Sequence, residues 1–185
     1  RQGGYCVELW DEKQQGVPVP NFLGAFSAVV WSAGDYFNGT LSSDDLNAIK
    51  DYSGGLLLEG SDLALDHVDD SLFQELSSII FSTDMLLNDS QPEQLGLKQH
   101  EITENITAIS INKEQSPYPD GVENLAGEVV AEWQNGKPAI VASAPSSLRK
   151  TVYYAFSLDG ITDGSVADRL VLNTMQWLLK KRNHP

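Results

Sequence analysis

Two stretches of the chain are apolar at every position rather than at alternate ones. Ala28-Val29-Val30-Trp31 closes at Gly34-Asp35, and Leu56-Leu57-Leu58 closes at Glu59-Gly60-Ser61-Asp62. Strands that are apolar on both faces suit central parallel strands covered by helices on each side. Between them lies a helix start. Ser42 is placed to cap, Asp45 to return the bond as in a capping box, and Leu46 and Ile49 carry the turn to Tyr52 before Gly54-Gly55 stops it. A second helix is predicted from Ser71 to Phe81, where Leu72, Phe73, Leu76, Ile79 and Ile80 form one apolar stripe. Residues 84–104 are polar and irregular, an excursion from the sheet. The second half is richer in strands: Ile106–Ile111, Val129–Trp133, Ala139–Ala142 and Val152–Phe156, with Asn135-Gly136 as a hairpin turn. A last helix, Val166 to Lys181, puts Leu170, Val171, Thr174, Trp177 and Leu178 on one face, and Lys180, Lys181 and Arg182 complement its dipole. Tyr5 to Trp10 reads as a further strand, with Cys6 as a small buried hydrophobe. The alternation of strands and helices predicts an α/β three-layer sandwich, a mostly parallel sheet plus a β-rich second half, as one domain over residues 1–185.

Charge narrows the partners. Asp and Glu number 26 against 12 Lys and Arg, a formal net charge of -14. So acidic a surface repels phosphate backbones, which argues against nucleic acid and leaves cations or proteins. No run reaches the roughly 18 apolar residues of a membrane helix, so no membrane span is expected. A single cysteine rules out an internal disulfide. The chain opens on Arg1, as a piece of something longer would. Sequons at Asn38, Asn88 and Asn105 suit an extracytoplasmic setting, secreted or at the cell surface.

Several short stretches share an order with a known superfamily. They are Ala28 to Asp35, Leu41 to Leu46, Gly54 to Ser61, Ser116-Pro-Tyr-Pro-Asp120, and Tyr153 to Ser157 followed by the Asn173–Leu178 helix. In this order the chain resembles the class I glutamine-amidotransferase-like superfamily, with its flavodoxin-like fold. It is similar in particular to divergent members found in secreted and surface proteins, including peptidase-associated ones. The resemblance implies a cysteine on a strand-to-helix elbow, activated by a histidine from the end of a later strand. Here Gly60 stands at the elbow, and Ser157-Leu158-Asp159 stands where the histidine belongs. It also implies a strand and helix preceding the segment matched by residues 5–10, so the sheet is expected to lack its first unit. A partner chain or swapped segment would then fill the vacant place.

The expectation is therefore a non-catalytic binding or accessory module whose partners are proteins or neighbouring domains of a parent chain. Ser61, beside the elbow with His67 six residues on, is the candidate nucleophile of an alternative hydrolase reading; its other reading is a turn or capping serine. Asp35, Tyr36, Glu59, Gly60, Ser61 and Asp62 would line a crevice at the carboxyl edge of the sheet, where ligands of such folds bind. Glu59, Asp62, Asp66, Asp69 and Asp70 cluster around His67 as hard oxygen donors of the kind calcium or magnesium takes, with Asp66, Asp69 and Asp70 as the metal candidates, though their spacing is not that of an EF-hand; the alternative is a solvated acidic loop. A further reading of the whole domain is a cation- or glycan-binding accessory domain beside a peptidase. Tyr118 is either part of a stiff structural loop or a rim group. His100 and His184 show no zinc-like spacing, and no cofactor is otherwise implied. The four tryptophans, 10, 31, 133 and 177, fall in strand or helix patterns and read as core.

Overall fold

A computed structural model describes residues 4–36, 39, 41–87, 91–145 and 149–180. The two doubly apolar runs form neighbouring parallel strands, β1 (Ala28–Gly34) and β2 (Gly55–Gly60). Every residue of β2 is buried. The remaining strands are β3 (Ile79–Asp84), β4 (Glu93–Gln94), β5 (Gly96–Leu97), β6 (Ser110–Ile111), β7 (Asp120–Asn124), β8 (Glu128–Glu132), β9 (Pro138–Ser143) and β10 (Thr151–Tyr154). Six strands make one sheet in the order β1-β2-β10-β9-β8-β5. β1, β2 and β10 run parallel; β9, β8 and β5 continue the sheet antiparallel, as the β-rich second half requires.

Period-two alternation sorts the core into two layers. Leu57, Val152 and Tyr154 face one side, beneath a long helix, while Leu56, Leu58 and Tyr153 face the other. The helices are α1 (Glu12–Gln15), α2 (Pro20–Leu23), α3 (Ser43–Lys50), α4 (Leu63–Asp66), α5 (Ser71–Ser77) and α6 (Gly164–Leu179). α6 lies on the first face and buries Leu170, Thr174 and Leu178. α3, α4, α5 and the antiparallel β3–β7 ribbon cover the second. The three-layer α/β class expected from the pattern is the observed one. α3 starts as its sequence predicts: Ser42 accepts from the Asp45 N–H, and Asp45 accepts from the Ser42 N–H at 2.7 Å.

Five local expectations are corrected. Residues 5–10 form no strand; Val7 is 80% and Leu9 88% exposed, and Cys6 is exposed rather than buried. A hexamer that is apolar but for Glu8 and has no ladder partner has no backbone reason to be a strand. β1 sits at the sheet edge rather than its centre: Val29 and Trp31 pack against the core while Val30 stays exposed. The stripe from Ser71 does not run as helix to Phe81. Ser78 adopts the left-handed conformation at φ 60° and closes α5, and the β-branched Ile79-Ile80 continue as β3. Of Ile106–Ile111 only Ser110–Ile111 is strand, since Asn105 turns the chain at φ 59°. Of the four tryptophans only Trp133 is fully core; the others are partly buried. Lys181, Arg182, His184 and the sequons at Asn38 and Asn88 lie outside the described residues.

Candidate functional site

β1, β2 and β10 end side by side, and their ends are tied together by short polar contacts. Glu59, the fifth residue of β2, is 2% exposed. Its Oε1 accepts a short hydrogen bond from the Ser32 hydroxyl on β1, and its Oε2 accepts from the Leu158 N–H beyond β10 at 3.0 Å. Burial raises its pKa above the usual carboxylate value, with the two hydrogen bonds opposing and Asp159 and Asp35 adding to the rise. Ser61 is fully buried; its N–H donates to the Gly34 carbonyl at 2.9 Å. The Ser61 hydroxyl pairs with that of Ser116 at 3.0 Å, and Ser116 Oγ also accepts from the Ser157 N–H at 3.2 Å. Between Glu59 and Ser61, Gly60 passes so close to β1 that a Cβ on it would stand 2.6 Å from the Ala33 Cβ. The elbow position is closed to any side chain.

His67 is not brought to Ser61. Its ring stacks on Phe73 at 4.7 Å, and its Nδ1 lies 3.7 Å from Asp70. Asp70 caps α5 by accepting from the Leu72 and Phe73 N–H groups, and Asp66 accepts from the Gly39 N–H at 2.7 Å. Together with Asp69 and Ser42 these residues rim a shallow, open cleft at the start of α3. Asp35 and Tyr36 are exposed at the end of β1, where Tyr36 accepts from Lys13 Nζ at 2.8 Å and the ammonium stands over its ring. The six crevice candidates thus divide: Asp35 and Tyr36 face solvent, whereas Glu59, Gly60, Ser61 and Asp62 are buried. Tyr118 is 55% exposed, and its carbonyl accepts from the Asp62 N–H at 2.9 Å.

Asp62 enters a constellation that sequence reasoning missed. One carboxylate oxygen each from Asp62, Asp84 and Asp120 lie within 4.8 Å of one another. Asp62 leaves β2 in the left-handed conformation, φ 56°, which a short polar side chain tolerates, and its N–H donates to the Tyr118 carbonyl at 2.9 Å. Asp84 ends β3 and is the direct cross-strand partner of Asp120, the first residue of β7. Asp120 is wholly buried and rigidly held. Its N–H donates to Ala155, its carbonyl accepts from Trp133 Nε1 at 2.9 Å, and its Oδ2 accepts from the Ala64 N–H at 2.8 Å and the Tyr153 hydroxyl at 3.3 Å. Burial, helped by Asp62 and Asp84, pushes its pKa up to about 8; burial, then Asp84 and Asp66, pushes that of Asp62 up to about 6. No sequence spacing signals this trio, because it depends on the β3–β7 register.

No protein-family model matches the chain, and no curated protein matches it by sequence. Solved structures do. The β-galactosidase of Bacillus circulans sp. alkalophilus superposes with a TM-score of 0.61 at 11% identity, covering 82% of this chain and 22% of its own. The fold is a flavodoxin-like α/β sandwich. A putative ThuA-like protein from Bacteroides uniformis, of glutamine-amidotransferase-like fold, agrees over 89% of this chain and 74% of its own, with a TM-score of 0.58 and 12% identity. The β-galactosidase of the Antarctic haloarchaeon Halorubrum lacusprofundi gives 0.57 at 14%, over 84% of this chain and 22% of its own. The chain spans about a fifth of the length of these β-galactosidases. At such identities the likeness concerns the fold alone.

Proposed function

We propose that this domain is a non-catalytic, amidotransferase-like binding or accessory module of a larger extracytoplasmic protein. The observation that carries the reading is Gly60: the position where the family resemblance calls for a nucleophile lies against Ala33 with no room for a side chain. Three further features support it. Ser61 is buried and engaged with Ser116, so it meets neither solvent nor a base. His67 packs on Phe73 and faces Asp70 instead, with its Nε2 buried and meeting no hydrogen-bond partner among the described residues. The β-galactosidases carry this fold as one part of a longer chain, which is how an accessory module occurs. The sequon at Asn105 is on an exposed residue, in keeping with a secreted or surface protein. The neighbouring module would be a catalytic one, a peptidase in the resemblance drawn from the sequence, and the exposed carboxyl-edge rim of Asp35, Tyr36 and Tyr118 would face it.

The test is chemical. The protein is incubated with a serine-directed fluorophosphonate and, separately, with L-glutamine. The expected result is neither labelling nor ammonia release. Labelling that vanishes in Ser61→Ala, or glutaminase activity above that of denatured protein, would replace this reading with a hydrolase.

A further inference from the structure

We propose that Asp62, Asp84 and Asp120 form a calcium site at the carboxyl edge of the sheet, outside the positions that the amidotransferase resemblance marks for chemistry. The trio is drawn from three elements: the turn after β2, the end of β3 and the start of β7. Like charges directly opposite on an antiparallel pair repel, and Asp84 and Asp120 are such a pair. The third acid, Asp62, is buried against them with one oxygen inside the same 4.8 Å. Left to themselves, three carboxylates so placed cost stability unless protons or a cation are shared among them.

The second observation is the free oxygen of Asp120. Asp120 is completely buried, and its Oδ2 is taken by the Ala64 N–H and the Tyr153 hydroxyl. Its Oδ1 is buried with no hydrogen-bond partner among the described residues. A buried carboxylate oxygen without a donor calls for a specific explanation, an ion among them; Asp45 Oδ1 is buried without a donor as well, but only Asp120 belongs to a trio of converging acids. A cation bound between the three acids supplies it. The donor set is all oxygen, so the ligand is a hard divalent ion rather than zinc or copper. Calcium fits better than magnesium: it accepts irregular arrangements of six to eight oxygens, whereas magnesium requires near-octahedral geometry and holds its water. Asp84 is exposed, so the site is open to solvent on that side and waters complete the shell.

Thermal melting of chelator-treated protein, with and without calcium chloride, tests the site, with terbium luminescence as a second readout. Trp133 donates its indole N–H to the Asp120 backbone and so lies beside the site as a natural sensitiser. Millimolar calcium is expected to raise the melting temperature, as any ligand selective for the folded state does. Terbium is expected to luminesce on excitation of the indole, and calcium to displace it. Asp84→Asn, at an exposed position where folding is safe, is expected to weaken calcium at least about tenfold and abolish the shift; Asp62→Asn should do the same. Asp69→Asn, on the cleft rim, should leave both readouts unchanged. The site is overturned if calcium moves neither readout, if Asp84→Asn keeps the full shift, or if Asp69→Asn reduces it equally. Magnesium acting as strongly as calcium overturns the choice of ion.

Discussion

Glu59 has both oxygens engaged, by Ser32 and by the Leu158 N–H, yet burial holds its pKa above the ordinary carboxylate value of 4.5. The groups around it are the Ser32 and Leu158 donors, the charges of Asp159 and Asp35, and Tyr154, its cross-strand neighbour on β10. The sign follows directly. Above pH 4.5 the unfolded chain has released this proton while the folded protein still holds it, so stability falls as pH rises through the window between the two pKa values. Glu59→Gln keeps the shape and removes the titration. Urea midpoints measured from acid to neutral pH in the presence of chelator should therefore fall less steeply in Glu59→Gln than in the parent; parallel curves would refute the account. The same residue marks a limit of reading from sequence. Its place at the end of an apolar strand was legible, but its partners were not: Ser32 lies on β1 and Leu158 in the turn beyond β10, and only the order β1-β2-β10 brings them in. The capping pair Ser42 and Asp45 was legible in full, because both bonds are made within one turn.

Among the elements, β1 and β2 were visible as apolar runs, and their parallel pairing is what shuts the elbow. Gly60 meets Ala33 because the register shifts between Ser32 and Gly34, leaving Ala33 unpaired against it. Gly60→Ala is expected to force the two strand ends apart and cost on the order of 1–3 kcal/mol, the usual penalty for overpacking a tight contact. Denaturant unfolding measures it, and a variant as stable as the parent would show that the contact yields. Elements failed to be legible where the apolar pattern is shared by two structures. Leu72 to Phe81 fits one helical stripe, and only the left-handed turn at Ser78, whose hydroxyl reaches Ser143 at 2.9 Å, divides it into α5 and β3. That division makes the acidic trio: without β3 there is no antiparallel partner for β7, and Asp84 never meets Asp120.

At the scale of the whole molecule, two kinds of cation effect have to be kept apart. A formal charge of -14 makes the folded surface repel itself, and any salt relieves that repulsion by screening. The Debye length falls from about 30 Å at ~0.01 M to about 3 Å at ~1 M ionic strength, so sodium chloride over this range should raise the melting temperature steadily. Such screening depends on total charge and not on where any one acid sits. Asp84→Asn and Asp69→Asn each remove one negative charge, so the two variants should show closely similar sodium chloride dependences. Their responses to calcium should differ, because only Asp84 belongs to the trio with a buried, unpartnered oxygen. A melting temperature that is indifferent to sodium chloride would mean that the acidic surface is too dispersed to strain the fold. Calcium and sodium responses that change together in both variants would mean that the acids act only as a diffuse field. The distinction falls to experiment at millimolar calcium in a background of roughly 0.15 M salt, where surface charges more than about 8 Å apart are already screened and a coordinated ion is not.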